Sequence, residues 1–170
     1  MTQRPAGASS ASPASVREAL SAWPGAVTLL TVADGRDDIG TTVSAFCPLS
    51  ADPPLVLAAL IAGSYPAEVL SRLSLFAVTL LSAGQRMLAG RFAAAGRPGA
   101  RLLLEGVPHQ RGEQSGALVP AGGLAAFECE VTSRTPAGDH LMLVARVLAV
   151  PYVAETGDPL IRFRGGYLGR

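Results

Sequence analysis

Residues 124–150 read LAAFECEVTSRTPAGDHLMLVARVLAV. Two mostly apolar runs rich in Val, Thr and Phe flank Pro136-Ala137-Gly138-Asp139, whose residues suit a tight turn. The pattern predicts two long antiparallel strands, Leu124–Thr135 and His140–Val150, joined by Pro136–Asp139.

Upstream, the same signals recur. Ala26–Ala33 reads as a strand, Asp34–Asp38 as a polar turn carrying Asp34-Gly35, and Ile39–Phe46 as the return strand. Asp52-Pro53-Pro54 forces an extended turn. It precedes Leu55–Ala62, an apolar run expected to be buried on both faces. Leu75–Leu81 and Pro159–Phe163 add further strands, with Glu155–Asp158 a turn before the last. Helices are few and short. Ser15 with Glu18 forms an S-x-x-E capping box, Pro66 opens Ala67–Leu73, and Ser82 with Gln85 starts a helix to about Ala95, stopped by Gly96–Gly99. Residues 1–14, mostly Ala, Ser, Pro and Gly, read as a disordered leader before a single domain over 15–170. Residues 100–118 read as loop with one short extended piece.

This order is mainly β. Helices do not alternate regularly with strands, which argues against a doubly wound parallel sheet. Six or more strands, with the long pair late, predict a closed Greek-key barrel that leaves no exposed edges.

Composition removes whole classes of chemistry. The 14 basic residues are all Arg and balance 13 acidic ones to a net charge of +1. That leaves no clustered positive charge for nucleic acid. Without Lys, Schiff-base chemistry and a Walker-type phosphate loop are ruled out. No run is apolar and long enough to cross a membrane as a helix. The first 14 residues lack the apolar segment of a signal peptide, so a cytoplasmic protein is expected. Only His109 and His140 are present, and Cys47 and Cys129 stand far apart, so no metal site is expected. Both cysteines are expected to be buried, reduced thiols.

Three local features could carry function. Gly40-Thr41-Thr42-Val43-Ser44-Ala45-Phe46 offers small hydroxyl side chains and accessible backbone, suited to a planar ring with a polyol or phosphate tail; a strand with a wet Thr face is the commoner outcome of such a pattern. Gly138-Asp139-His140 places a histidine just after a tight turn, at a barrel rim. Arg91 could meet phosphate if it faces a pocket. The competing outcomes are a solvated histidine and a solvated helical arginine.

Taken in order, these segments resemble the flavin reductase-like proteins, which bind FMN in a split β-barrel. The resemblance spans residues 16–168. It is carried by Trp23-Pro24-Gly25-Ala26-Val27-Thr28, the hydroxyl strand, Leu49-Ser50-Ala51-Asp52-Pro53-Pro54-Leu55-Val56 and Phe76-Ala77-Val78-Thr79-Leu80-Leu81-Ser82. Leu88-Ala89-Gly90-Arg91-Phe92-Ala93, Glu128-Cys129-Glu130-Val131, Gly138-Asp139-His140 and Tyr167 follow. It implies a six-stranded split barrel with Greek-key topology, usually a homodimer with flavin near the interface. Thr41, Thr42, Val43 and Ser44 would line the flavin ring and ribityl chain, with Ser50, Ser64 and Arg91 toward the phosphate. His140 would be the catalytic residue on the nicotinamide side, with Tyr167 beside it. Tyr65, where relatives often carry a smaller polar residue, would narrow the pocket mouth.

The implied activity is an NAD(P)H-dependent flavin reductase that uses FMN, with FAD as an alternative, and supplies reduced flavin to a partner monooxygenase. Two other activities fit such a barrel: a flavin carrier or sensor without NAD(P)H turnover, and a flavin-dependent oxidase or reductase of a small molecule. An NAD(P)H-dependent enzyme of this kind needs no acid–base pair of its own, because the cofactors carry the chemistry.

Overall fold

The computed structural model describes residues 11–35 and 37–168. Residues 1–10 of the expected leader lie outside them.

Helix α1 (Pro13–Ser21) starts two residues before the expected one. Ser12 is the cap, its Oγ accepting from Ser15 N at 3.2 Å, and Pro13 occupies the first turn, where its missing N–H costs nothing. The Ser15–Glu18 box is therefore replaced by a cap one turn earlier. There follow β1 (Gly25–Ala26), β2 (Thr28–Asp34), β3 (Asp37–Val43), β4 (Phe46–Ala51) and β5 (Pro54–Ile61). Then come α2 (Tyr65–Arg72), β6 (Leu75–Leu80), a 3₁₀ turn at Ala83–Gln85 and α3 (Arg86–Ala93). The chain continues through α4 (Ala100–Leu103), β7 (His109–Arg111), β8 (Leu118–Pro120), β9 (Ala125–Ala137) and β10 (His140–Val153). It ends in β11 (Ile161–Phe163) and β12 (Gly166–Leu168). Among the described residues, no helix is long and apolar enough to cross a membrane.

Seven strands form one antiparallel sheet in the order β3-β2-β6-β9-β10-β5-β4. Its end strands, β3 and β4, are joined by only Ser44 and Ala45. In a flat sheet the two would lie about 29 Å apart, six spacings of roughly 4.8 Å. The steps from Val43 to Phe46 span at most about 11 Å. The sheet must therefore curl until its edges meet at residues 44–45, which makes it a barrel split at that corner.

The fold is the mainly β barrel expected, with differences in detail. The main sheet has seven strands rather than six, because the return strand stops at Val43 and the chain turns the corner before Phe46 starts β4. The β2–β3 turn is tighter than Asp34–Asp38: Asp34 pairs with Asp37, and Gly35 takes φ 57°. Likewise Pro136 and Ala137 belong to β9, leaving Gly138-Asp139 as the turn, with Gly138 at φ 63°. β5 is not buried on both faces. Val56, Ala58 and Leu60 point inward while Leu55, Leu57 and Ala59 are half-buried, because no helical layer covers that side.

Gln85 caps as expected, its Oε1 accepting from Ser82 N at 3.2 Å, but the helix ends at Ala93. The segment expected to be loop holds α4, β7 and the start of β8. Cys129 is buried, its thiol pushed up to about 12 mainly by burial, whereas Cys47 on β4 is exposed.

Leu30, Val32, Ile39, Val43, Phe76, Val78 and Leu143 fill the barrel. A second core lies outside β2, where Leu29 meets Leu88, Phe92 and Leu104 from the α3–α4 layer. Gly40 makes this contact possible. A Cβ there would sit 2.6 Å from Phe92 Cε1, so only glycine lets α3 settle onto β3.

Candidate functional site

β3 is an end strand, so alternate peptide groups along it are unpaired by the sheet. Gly40 O points outward, since it accepts from Arg97 Nε at 2.9 Å. By the two-residue period, the N–H and C=O of Thr42 face the same open edge. The barrel split thus exposes main-chain donors and acceptors along the free edge of β3.

A cavity of about 310 Å³ opens there. Its walls are residues 41–45, Ala59–Ile61 of β5, Ser64 at the start of α2, Ala93 at the end of α3, Arg97 and His140. A second cavity of about 450 Å³ adjoins it, sharing Ser64 and Arg97 and continuing to Tyr65 and Gly96–Gly99. On the other side Tyr167 lines a hollow with Thr42, Ser44, Ala93 and Arg162. Its ring lies 5.9 Å from the Arg86 guanidinium and 5.5 Å from that of Arg162, close enough for cation–π attraction.

The structure therefore brings together Thr41, Thr42, Val43, Ser44, Ser64 and His140, with Tyr167 at the margin. It does not bring in Ser50 or Arg91. Ser50 is half-buried on β4 opposite Leu55 and lines none of these hollows. Arg91 lies on an exposed face of α3, its Nη1 donating to Leu103 O at 3.2 Å. The guanidinium in the cavity is that of Arg97, which the sequence reading missed. Its Nη1 also donates to Ala94 O at 3.2 Å, and burial pulls its pKa below the ordinary arginine value while leaving it charged at neutral pH. The available signal was slight: Arg97 is the one charged residue in the Gly96–Gly99 helix stop.

His140 opens β10, paired with Ile61 on one side and Ala137 on the other. Its Nδ1 lies 2.7 Å from Asp139 Oδ1, and the histidine holds the Asp139 carboxyl below its usual range. Behind the site, buried Asp38 on β3 accepts from Arg111 Nη1 at 2.9 Å and Nη2 at 2.8 Å, and also from Arg101 Nε. This carboxylate ties α4 and β7 to β3, and its arginines, Arg111 foremost, hold its pKa down.

Comparison with known proteins gives a consistent picture. The flavin reductase like domain family matches residues 20–169. The FMN reductase (NADH) SmoA of Agrobacterium fabrum is 36% identical over 156 residues, covering 92% of this chain and 84% of the relative. The reductase component of 4-hydroxyphenylacetate 3-monooxygenase from Thermus thermophilus is 34% identical, covering 89% and 92%. Among solved structures, BorF, the flavin reductase component of a bacterial two-component tryptophan halogenase, superposes with a TM-score of 0.85 at 30% identity, covering 93% of this chain and 98% of that one. The NADH:FAD oxidoreductase SgcE6 of Streptomyces globisporus, solved with NAD and FAD fragments, superposes at 0.84 with 28% identity, covering 95% and 96%. The chain belongs to the flavin reductase like family.

The residues present fit a flavin nucleotide. The open β3 edge offers peptide groups to a polar ring, the Thr41, Thr42 and Ser44 hydroxyls suit a polyol, and Ser64 with Arg97 suits a phosphate.

Proposed function

We propose that this chain transfers hydride from NADH or NADPH to FMN, with FAD as an alternative acceptor, and passes the reduced flavin to a partner monooxygenase. The observation that carries this reading is the meeting of the open β3 edge, Ser64, Arg97 and His140 in one cavity at the barrel split. The activity is that of a flavin reductase, an oxidoreductase.

Bound flavin supplies the redox chemistry by accepting hydride from the reduced nicotinamide, with solvent giving the accompanying proton. The protein binds and orients. Thr41–Ser44 hold the ring and ribityl chain, largely through backbone groups set by β3. Ser64 and Arg97 hold the phosphate, taking the place first given to Ser50 and Arg91. His140 faces the nicotinamide. Its Nδ1, directed at Asp139, leaves Nε2 with the lone pair of the neutral ring, suited to accept a carboxamide N–H. Tyr167, flanked by Arg86 and Arg162, borders the same side.

The chain acts as a homodimer in the cytoplasm. Support for the dimer comes from the outward face of β5 and β10, where Leu55, Leu57, Ala59 and Ile61 lie alongside Met142 and Val144. Ile61 is 65% exposed, and an apolar face of this kind marks an interface. Ala59 and Ile61 also line the cavity, so a second copy on this face would stand beside the flavin.

The test is NADH and NADPH oxidation by the purified chain with FMN, FAD or no flavin. Turnover that depends on added flavin is expected. Tight flavin binding without consumption of either nucleotide would overturn the assignment in favour of a carrier or sensor.

A further inference from the structure

We infer that the hollow between the β7–β8 loop and the last third of β10 binds a small organic amine carrying an apolar group, with Glu128 as the residue that meets its ammonium. The hollow shares no lining residue with the cavities at the barrel split, so it stands apart from the flavin site.

Glu128 on β9 is only 2% exposed, yet half of its carboxylate is unused. Oε2 accepts from Gln114 N at 2.9 Å, Ser115 N at 2.6 Å and Ser115 Oγ at 2.7 Å, which wraps the loop around it. Gly112 packs on the same oxygen so closely that a Cβ there would collide with it. Every fully buried side-chain oxygen among the described residues has a partner. Oε1 of Glu128 has none, so it is not sealed off but opens into the cavity of about 290 Å³ that Glu128 lines.

Arg111 stands on the same wall but is engaged elsewhere: Nη1 and Nη2 donate to Asp38, and Nη1 also to Gly116 O at 2.7 Å. Glu113 adds a second acid to the wall. β10 adds acceptors. Its pairing with β5 stops at Arg146, so alternate carbonyls along that edge of 147–153 are unpaired by the sheet. A buried carboxylate is costly until donors or an opposite charge meet it. An ammonium, with three N–H donors, suits one carboxylate oxygen beside main-chain carbonyls.

An apolar group has its own place. A cavity of about 320 Å³ adjoins the first, sharing Gln110 and Pro151. Pro108, His109, Val119 and Tyr152 make most of its remaining wall. Tyr152 is held by its hydroxyl, which donates to Pro120 O at 2.8 Å, and His109 by Nδ1, 2.7 Å from Val107 O. Rings already fixed lose little freedom when a ligand ring packs on them. The two hollows together ask for a charged head and an apolar tail in one molecule. An anion would face Glu113 and Glu128 and is disfavoured.

The experiment is calorimetric titration of the full chain with 2-phenylethylamine, with phenylacetate and methylammonium as comparators, for the wild type, Glu128→Gln and Ala149→Leu. FMN affinity and Tm are measured beside it. The wild type should bind 2-phenylethylamine at one site and phenylacetate not at all, with methylammonium weaker by about tenfold or more for want of the apolar contact. Glu128→Gln keeps an oxygen for the loop donors but removes the charge. It should weaken the amine by about tenfold or more, with FMN affinity within about twofold. Ala149→Leu fills the wall of the charged cavity, leaves the loop's hydrogen bonds in place and should weaken the amine equally; it decides the matter if Glu128→Gln does not fold. No saturable binding of the amine, equal binding of phenylacetate, competition with FMN, or unchanged affinity in either folded variant would overturn the site.

Discussion

Arg97 Nε donates to the Gly40 carbonyl at 2.9 Å, tying the loop after α3 to the open edge of β3. One guanidinium thus closes one side of the cavity and brings positive charge to the place where Ser64 also stands. Replacing Arg97 by Met should weaken FMN binding about tenfold or more, as loss of a charge-assisted contact to phosphate does. Arg91→Met removes a bond to the Leu103 carbonyl on an exposed face and should leave FMN affinity within about twofold. Flavin titration of both variants checks the pair, and a reversal of their order would return the phosphate role to Arg91.

His140→Ala should separate the two substrates. The FMN dissociation constant should stay within about threefold, while kcat/KM for NADH falls by about tenfold or more, the cost of losing a positioned hydrogen-bonding group. Asp139→Asn, which alters the partner of Nδ1 2.7 Å away, should give a smaller loss of the same kind. Losses of equal size in flavin binding and NADH use would remove His140 from the nicotinamide side.

Asp38 ties stability to pH. Its carboxyl is held below the ordinary carboxylate range by Arg111 first and Arg101 second. A depressed folded-state pKa stabilises the fold fully above the unfolded value of about 4, and the contribution disappears as pH falls through the folded value. The wild-type Tm should therefore drop as pH falls below about 4. Asp38→Asn should be less stable at pH 7 by about 2 kcal/mol, the scale of hydrogen bonds to a charged group, and should show a shallower acid decline. Thermal unfolding at several pH values reads both.

Gly40→Ala tests the seat of α3. A Cβ 2.6 Å from Phe92 Cε1 cannot be absorbed easily, because Phe92 is completely buried. A loss of about 2 kcal/mol is expected from such overpacking, together with weaker flavin binding, since Ala93 follows Phe92 into the cavity wall. Unchanged Tm would mean that α3 shifts freely, contrary to the packing described.

Much of this was legible in the sequence, for definable reasons. The hairpin of β9 and β10 and that of β2 and β3 announce themselves by apolar runs broken at Gly138-Asp139 and at Gly35. The hydroxyl strand and His140 were singled out because strand alternation and turn chemistry are local properties, whereas Ser64 entered only through the family resemblance. What escaped depends on contacts between distant residues. α4 and β7 are too short to show a period; they are held by Arg101 and Arg111 reaching Asp38, 63 and 73 residues away along the chain. Arg97 looked like part of a helix stop, and only the closing of the barrel carries it back to Gly40. α1 was misplaced because Ser12 and Ser15 are both plausible caps, and Pro13 favours the earlier one.

The corner at residues 44–45, which forces the sheet to curl, also governs how this site can vary over time. In the binding mode proposed above, much of the grip there would come from peptide groups, which every amino acid possesses. Side chains in the 41–45 segment can drift between small residues while the grip persists, as long as the corner stays two residues long. An inserted residue at this point should be far more harmful than any conservative exchange, so inheritance of the site is a matter of chain length as much as of residue identity.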